Sequence, residues 1–171
     1  QPLSSPPNTS SDWRCLLEHY SSIHSLKKRN FADQIDDAAL NFQNGYLGKK
    51  KVIQTANKLP LEVRPKELTE LLQWFEDWDP PSFPSTTLAL CRVDANWRNF
   101  IKLENRCASV DWENSGWGDP AFEIADLITH PAYEDVNSEE WESVIQTYTK
   151  LINDPDCEIR IRTYHLEMLM W

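Results

Sequence analysis

A proline-rich break at residues 79–84 constrains the fold of this chain most, because it separates two kinds of hydrophobic pattern. The segment reads Asp79-Pro80-Pro81-Ser82-Phe83-Pro84, and proline can neither donate a backbone hydrogen bond nor continue a helix. Before the break, apolar residues recur at helical spacing. After the break, short apolar runs of strand length come first, and helical spacing then returns. The sequence therefore predicts a mainly helical α+β fold that contains one small β-hairpin.

Apolar residues three and four positions apart indicate the helices, and short apolar runs indicate the strands. The predicted helices are 12–26, 36–43, 48–58, 65–78, 121–129, 138–152 and 156–171. The predicted strands are 87–91, 99–103 and 107–111. Asp12 can cap the first helix, and Pro65 suits the first turn of the helix that ends at the break.

Charge and cysteine content narrow the classes of function. The 171 residues include 17 Lys plus Arg and 27 Asp plus Glu, which gives a net charge of -10. This balance argues against binding to nucleic acid or to an anionic membrane, since both need a positive surface. No apolar run reaches the roughly 20 residues of a membrane helix. The four cysteines include no C-x-x-C pair, so we expect reduced thiols in a cytoplasmic protein.

The predicted hairpin brings two oxygen-bearing side chains together. With 104–106 as its loop, residue 103 lies opposite 107, and Asn99 lies opposite Asp111. Directly opposed residues have Cβ atoms roughly 4.5–5.5 Å apart, so the carboxamide and the carboxylate can share one Mg²⁺ ion. Asp94 follows the preceding strand, where its carboxylate can accept a proton from a substrate hydroxyl.

The residues around this constellation form a longer motif. The segment from Val110 to Leu127 reads V-D-W-E-N-S-G-W-G-D-P-A-F-E-I-A-D-L, and Ile23-His24-Ser25-Leu26 ends the first predicted helix. The longer motif resembles the aminoglycoside phosphotransferase and choline kinase-like family, which has V-I-D-W-E, then G-D-P-A, an acidic residue and L-A. The segment at residues 23–26 is similar to the family's L-H-S-L helix. His24 itself lies on an apolar helix face and is expected to be packed, not catalytic.

The resemblance implies the carboxyl-terminal lobe of a protein-kinase-like fold and transfer of the ATP γ-phosphoryl group to a hydroxyl of a small molecule. It implies Asp94 as the catalytic base, Asn99 and Asp111 as ligands of Mg²⁺, and a scaffolding role for Asp119. Asp119 is equally suited to cap a helix. An aminoglycoside, choline or a sugar-like molecule could be the acceptor, and a cationic group is one option. The oligomeric state stays open.

The sequence departs from the family pattern beside the base. The family usually has His-Gly before the base, where this chain has Arg92-Val93, and H-P-G before the metal ligand, where this chain has residues 96–98 (N-W-R). Arg92, Arg98 and Glu113 are candidate supporting residues. Solvated or ion-paired side chains are the simpler explanation for the two arginines, and a surface charge is the alternative for Glu113.

No segment resembles a Gly-rich phosphate loop or a strand lysine that pairs the phosphates. In kinase-like folds those parts belong to the amino-terminal lobe. Residues 1–11 are therefore expected to be a flexible lead or hinge remnant, and residues 12–171 a kinase-like lobe truncated at both ends. The alternative function is a non-catalytic, pseudokinase-like binding module that keeps the fold. A protein kinase is a third, weaker option, because Asn96 stands where protein kinases have Lys.

Overall fold

The computed structural model describes residues 2–31, 34–38, 40–83, 87–104 and 106–171, which are mainly helical with two small antiparallel sheets. The helices are α1 (Ser10–His24), α2 (Gly45–Ala56), α3 (Lys66–Asp77), α4 (Pro120–Thr129), α5 (Ser138–Ile152) and α6 (Cys157–Met170). The strands are β1 (Ala89–Cys91), β2 (Phe100–Lys102), β3 (Cys107–Ser109) and β4 (Gly116–Gly118). The predicted α+β class, with a hairpin among helices, is confirmed.

Side-chain caps fix where the helices begin. α1 begins earlier than predicted because Thr9 Oγ1 accepts the Asp12 N–H at 3.1 Å. Asp12 then lies in the first turn, where a negative charge interacts favourably with the helix dipole. α3 begins directly after Pro65, as expected, and Asp119 caps α4.

The helix predicted over 36–43 is wrong. The described residues of this segment are not helical, and residue 39 lies outside the described part of the chain. Trp117 N–H donates to Asp36 C=O at 2.9 Å, and Ala38 N–H donates to Trp117 C=O at 3.0 Å. Pairing with β4 therefore satisfies backbone groups that a helix would have satisfied internally.

The Asn41 side chain extends this pairing beyond β4. Its Oδ1 accepts the Asp119 N–H, and its Nδ2 donates to Asp119 C=O, both at 3.0 Å. The amide lies directly over Gly118, where a Cβ would come within 2.3 Å of Asn41 Nδ2. Only glycine permits this approach of a side chain to the strand.

The core forms around α4, a helix that is apolar on nearly all sides. Such a helix must be buried; it packs against α6, while α1 packs against α5. The fully buried side chains of these four helices include Leu16, Leu17, Tyr20, Ile124, Leu127, Tyr148, Ile161 and Tyr164. The two sheets contact this helical core through α1 and α4.

The predicted hairpin exists, but its register is one residue different from the prediction. Lys102 pairs with Cys107, and Val110 N–H donates to Asn99 C=O at 2.9 Å. Asn99 therefore lies opposite Val110, not opposite Asp111. The reason is that Leu103 N–H donates to Arg106 C=O at 2.9 Å, which leaves two residues between the paired ones instead of three. Two-residue connections are the commonest in hairpins.

Residues 2 and 3, which belong to the lead that the sequence suggests, lie against this hairpin. Leu3 N–H donates to Phe100 C=O at 3.0 Å, Pro2 bridges to Ile101, and Pro7 is buried. The boundary proposed at residues 11 and 12 stays a prediction. None of the helices in the described ranges has the length and apolar character that a membrane crossing requires.

Glu167 places a carboxylate inside the contact between α6 and α2. Its side chain is fully buried, and neither oxygen has a well-formed hydrogen bond to another described residue. Gly48 makes room for it, because a Cβ at Gly48 would come within 1.8 Å of Glu167 Oε2. Burial raises the pKa of Glu167 to about 9, against a smaller opposing effect of the Lys49 backbone N–H. The carboxyl group is therefore protonated at neutral pH.

We expect the substitution Glu167→Gln to flatten the pH dependence of stability. The unfolded chain releases this proton near its ordinary pKa of 4.5, whereas the folded protein keeps it until about pH 9. Rising pH therefore favours the unfolded state across this window, and the loss ends above the folded pKa. The wild-type protein should lose on the order of 5 kcal/mol relative to Glu167→Gln between pH 5 and pH 9, measured by urea unfolding.

Glu134→Gln, at an exposed position, serves as the control and should follow the wild-type curve. Parallel curves for the wild type and Glu167→Gln would contradict a protonated buried carboxyl.

Candidate active site

Two carboxylates on α4 hold the loop that follows β1. Arg92 N–H and Val93 N–H donate to Glu123 Oε1 at 3.0 and 2.9 Å, and Ala95 N–H donates to Asp126 Oδ2 at 3.2 Å. Glu123 and Asp126 are three residues apart on the helix and so project from the same face. The position of α4 therefore sets the conformation of the loop.

Two consecutive residues of this loop have left-handed backbone conformations. Val93 has φ 59° and Asp94 has φ 61°. In this region Cβ crowds the following carbonyl oxygen, at a cost of about 1–2 kcal/mol per residue, and a β-branched side chain is especially unsuited to it. The Val93 side chain is buried against Ala38 and Cys91. The family that this sequence resembles has glycine at this position, and glycine would adopt the conformation without strain.

The Asp94 carboxylate lies at the surface of the loop, in contact with two polar side chains and with the Asn96 N–H. Asn99 Nδ2 donates to Asp94 Oδ2 at 2.9 Å, and His130 Nε2 lies 3.4 Å from Asp94 Oδ1. The side chain is 34% exposed, so a small molecule can reach it. Tyr133 supports the loop from below, since its hydroxyl donates to Ala95 C=O at 2.9 Å. The predicted base is thus oriented and accessible.

The two predicted metal ligands remain close along the backbone despite the shift in register. Asp111 is exposed, has φ 62°, and follows the residue that pairs with Asn99. Because Asn99 turns its amide nitrogen towards Asp94, its carboxamide oxygen is left as the available ligand atom. Carboxylate and carboxamide oxygens are ligands that Mg²⁺ accepts. The donor set fits the ion, and its role stays a prediction.

Arg92 is fully buried, so the expectation of a solvated or ion-paired side chain is wrong for this residue. Its Nη1 donates to Val110 C=O at 3.1 Å and to Asp111 C=O at 3.2 Å. The guanidinium lies 4.8 Å from the centroid of the Phe100 ring, which favours a cation. Its Nε and Nη2 have no hydrogen-bond partner among the described residues. The side chain links the base loop to the strand end that carries Asp111.

The other two candidate supporting residues lie at the surface. Arg98 is exposed, and its guanidinium lies 4.4 Å from the centroid of the Trp97 ring. Glu113 is also exposed. A supporting role for either residue stays a prediction that their contacts do not favour.

Asp119 is fully buried where three elements meet. Its Oδ1 accepts the Ala121 N–H at 3.0 Å and so caps α4. Its Oδ2 accepts from Arg160 Nε at 3.0 Å and from the Tyr164 hydroxyl at 2.8 Å, both on α6. These contacts have the form of a scaffold, because they fix the end of β4 and the start of α4 relative to α6.

His24 is packed, as predicted from its place on an apolar helix face. Its Nε2 lies 2.7 Å from Glu123 Oε2, and its Nδ1 lies 2.6 Å from the Tyr148 hydroxyl. A ring with its proton on Nε2 donates to the carboxylate and accepts from the tyrosine. The same Glu123 that holds the base loop therefore also binds α1, and His24 in turn joins α1 to α5.

The sequence prediction missed three residues of the site, although their spacing was visible. Glu123, Asp126 and His130 are three and four positions apart on α4 and its carboxyl end, which is the spacing of one helical face. Burial, with a smaller effect of the Glu123 charge, raises the pKa of Asp126 to about 7. Besides Asp94, the site therefore contains the carboxyl group of Asp126, which is partly ionised near neutral pH.

A cavity of about 390 Å³ opens beside Asp94. Its lining includes the polar residues Asp126 and His130 as well as aromatic and aliphatic residues. Among the aromatic ones is Phe42, whose ring stacks on Trp171 with a centroid distance of 5.3 Å and packs edge-on against Phe122 at 4.8 Å. The cavity thus offers both a carboxyl group and aromatic surface to a small molecule.

Comparisons with known proteins find a family model and several solved structures that are similar to this chain. The sequence model described as the phosphotransferase enzyme family matches residues 4–157. A comparison with curated protein sequences finds no match.

Several solved structures are similar to this chain. The macrolide 2'-phosphotransferase MphH of Brachybacterium faecium has a TM-score of 0.61 at 17% identity, over 92% of this chain and 50% of that one. A choline/ethanolamine kinase family protein of Mesorhizobium loti has a TM-score of 0.57 at 18% identity, over 94% and 50%. The aminoglycoside phosphotransferase APH(2")-IIa, solved with gentamicin, has a TM-score of 0.60 at 19% identity, over 96% and 55%.

This chain spans about half the length of these structures. At such identities the similarity establishes the fold alone, and it confirms the kinase-like lobe that the sequence predicts.

We expect glycine to be better tolerated than alanine at Val93. Both substitutions remove the two buried methyl groups, and glycine also removes Cβ, but only glycine relieves the left-handed strain. Val93→Gly should therefore be about 1 kcal/mol more stable than Val93→Ala, measured by urea unfolding. At Val144, which is buried inside α5, the order should reverse by a similar amount because glycine weakens a helix. The same order at both positions would contradict the strain.

Proposed function

The chain belongs to the phosphotransferase enzyme family, and on this premise we propose that it carries the catalytic lobe of an ATP- and magnesium-dependent O-phosphotransferase. The substrate would be a small molecule with a hydroxyl group. One observation carries the proposal: an accessible carboxylate, Asp94, lies beside the cavity and 2.9 Å from the amide of Asn99. Asn99 in turn lies next to Asp111 at the open end of the hairpin.

Asp94 is the proposed general base. Its Oδ1 and Oδ2 are oriented by His130 and Asn99, and its exposure allows a hydroxyl of the acceptor to approach. Accepting the proton of that hydroxyl leaves an oxygen that can attack phosphorus. Residues held in sparsely populated backbone conformations cluster at active sites, and the left-handed φ of Asp94 is such a conformation.

Asn99 Oδ1 and the Asp111 carboxylate are the groups that would hold Mg²⁺. Magnesium in such sites retains several waters and shares phosphate oxygens of the nucleotide, and when bound it neutralises charge on the phosphoryl group. The contribution of this chain is the position of the ligands. Arg92 binds both carbonyls at the strand end, which holds the Asp111 backbone in its left-handed conformation. The use of ATP as donor comes from the family resemblance.

The cavity favours an acceptor that carries both a cation and apolar surface. An ionised Asp126 would attract an amine, and the faces of Phe42 and Trp171 attract both apolar groups and cations. The relatives with solved structures include proteins named for macrolides and for choline and ethanolamine.

A cytoplasmic location completes the proposal, since the described cysteines are free thiols that suit a reducing compartment.

The second candidate is a binding module that keeps the fold without turnover. Arg92-Val93 favours it, because the left-handed position that suits glycine carries a strained, β-branched residue. Measurement of binding and of turnover in the same protein separates the two candidates.

We expect Asp111→Ala and Asp94→Asn to fail at different steps in the longest natural form of the protein. Calorimetric titration should show MgATP binding to the wild type and at least tenfold weaker binding to Asp111→Ala, because an oxygen ligand is lost. Asp94→Asn should bind MgATP normally but lose about 10²- to 10⁴-fold in turnover with an acceptor found by screening hydroxylated amines.

Asp135→Asn, at an exposed position, is the control for both measurements and should change neither. Binding without turnover in the wild type would favour the binding module. If MgATP did not bind to the folded, intact protein, the proposal of a metal site would be wrong.

The substitution Asp126→Asn tests the acceptor side of the cavity. Its amide oxygen can still accept the Ala95 N–H, so the loop should persist while the charge is lost. For a cationic acceptor, the wild-type KM should fall as pH rises through about 7, because Asp126 becomes ionised there. In the variant, KM should be about tenfold higher above this pH and nearly independent of pH, with a smaller change in kcat. A neutral analogue of the acceptor should show equal KM values for both proteins, and equal values for the cationic acceptor would contradict the role of Asp126.

A further inference from the structure

Two of the four cysteines face each other on the side of the hairpin away from the cavity. Cys107 Sγ on β3 lies 3.0 Å from Cys15 Sγ on α1, and both are free thiols. The contact joins residues that are 92 positions apart in the chain. Cys91 and Cys157 are also free thiols, and both are fully buried elsewhere. The molecule therefore contains one close thiol pair and two isolated thiols that provide an internal comparison.

A groove of about 480 Å³ gives access to this pair. Cys15 is partly exposed, whereas Cys107 is nearly buried. The groove also contains Arg106 at its rim, whose exposed positive charge suits an approaching carboxylate. A small peptide disulfide such as oxidised glutathione carries carboxylates and can reach Cys15 from this side. Access from solvent and a second thiol in contact are what intramolecular disulfide formation requires.

We propose that Cys15 and Cys107 form a reversible disulfide, a modification site that links α1 to the β2–β3 hairpin. The Cys15 thiolate attacks one sulfur of oxidised glutathione, and one glutathione leaves as a thiolate that takes up a proton. The Cys107 thiolate then attacks Cys15 Sγ, and the second glutathione leaves in the same way. Two protein thiols are oxidised and one glutathione disulfide is reduced to two thiols, so atoms and electrons balance.

The two thiols are not equivalent in this sequence. Burial, together with the adjacent Cys15, raises the pKa of the Cys107 thiol. The thiolate is the reactive species, so the more exposed Cys15 reacts first and Cys107 resolves the mixed disulfide. This order explains how a nearly buried thiol takes part: it needs to meet only its neighbour and never the reagent.

The bond would act on the strand that leads to the proposed metal ligand. β3 ends at Ser109, and the chain reaches Asp111 two residues later, while the partner strand β2 follows Asn99 directly. A covalent link from β3 to α1 would fix the hairpin to the helix that carries His24. This modification does not depend on phosphoryl transfer, and it can be measured whether or not the protein turns over a substrate.

The test begins with the wild-type protein equilibrated with oxidised glutathione. Peptide mapping without reduction should show Cys15 linked to Cys107, and thiol titration should fall from four groups to two. The midpoint of thermal unfolding should rise by roughly 5–15 °C, because the link closes a long loop in the unfolded chain. Reduced glutathione in excess should restore all four thiols.

The variants Cys107→Ser and Cys91→Ser complete the test. Cys107→Ser should accumulate a stable glutathione adduct at Cys15 and show no rise in the midpoint, whereas Cys91→Ser should still form the link. A wild-type protein that keeps four thiols, retains a stable adduct at Cys15, or links another pair would overturn the proposal. Because the wild type alone can give each of these results, the proposal can be overturned even if a variant fails to fold.

Discussion

The carboxylate of Glu123 accepts hydrogen bonds from three groups in two parts of the molecule. The backbone N–H groups of Arg92 and Val93 reach it from the base loop, and His24 reaches it from α1. A buried carboxylate without donors would cost several kcal/mol, so loop, helix and carboxylate are stable only together. His24 also contacts Tyr148 on α5. Through His24, the Glu123 side chain therefore connects the packing of the helical core to the backbone conformation beside Asp94.

This connection explains how the loop keeps an unfavourable backbone. The left-handed residues Val93 and Asp94 would relax in an isolated peptide, but here the donors around them are committed to α4. Arg92 adds a second constraint by binding the carbonyls of Val110 and Asp111. The family resemblance places histidine and glycine before the base, and this chain instead uses a buried guanidinium and a strained valine. In this chain the buried guanidinium and the Glu123 carboxylate hold the loop in its left-handed conformation.

Local pattern was enough to predict most of the fold. The helices after residue 65 and the hairpin have strong periodicity and turn signals, and they lie within a few residues of their predicted ends. The prediction failed where contacts between residues far apart in the chain determine the secondary structure or the strand register. Residues 36–43 have weak helical spacing, and 36–38 pair with β4 instead. The hairpin slips because the pairing of Leu103 with Arg106 has no local signal. Burial of Arg92 and the raised pKa of Asp126 depend on α4 packing beneath the loop, which sequence alone does not reveal.

The attachment of the segment before α2 to β4 has a consequence for evolution. Asp37 bridges to Trp117, and four residues later the Asn41 amide binds both backbone groups of Asp119. The first contact is to a residue of β4 and the second is to the residue directly after β4. The number of residues between Asp37 and Asn41 is therefore fixed. Insertions and deletions should be absent there in homologous sequences, whereas the exposed turn between α2 and α3 should vary freely in length.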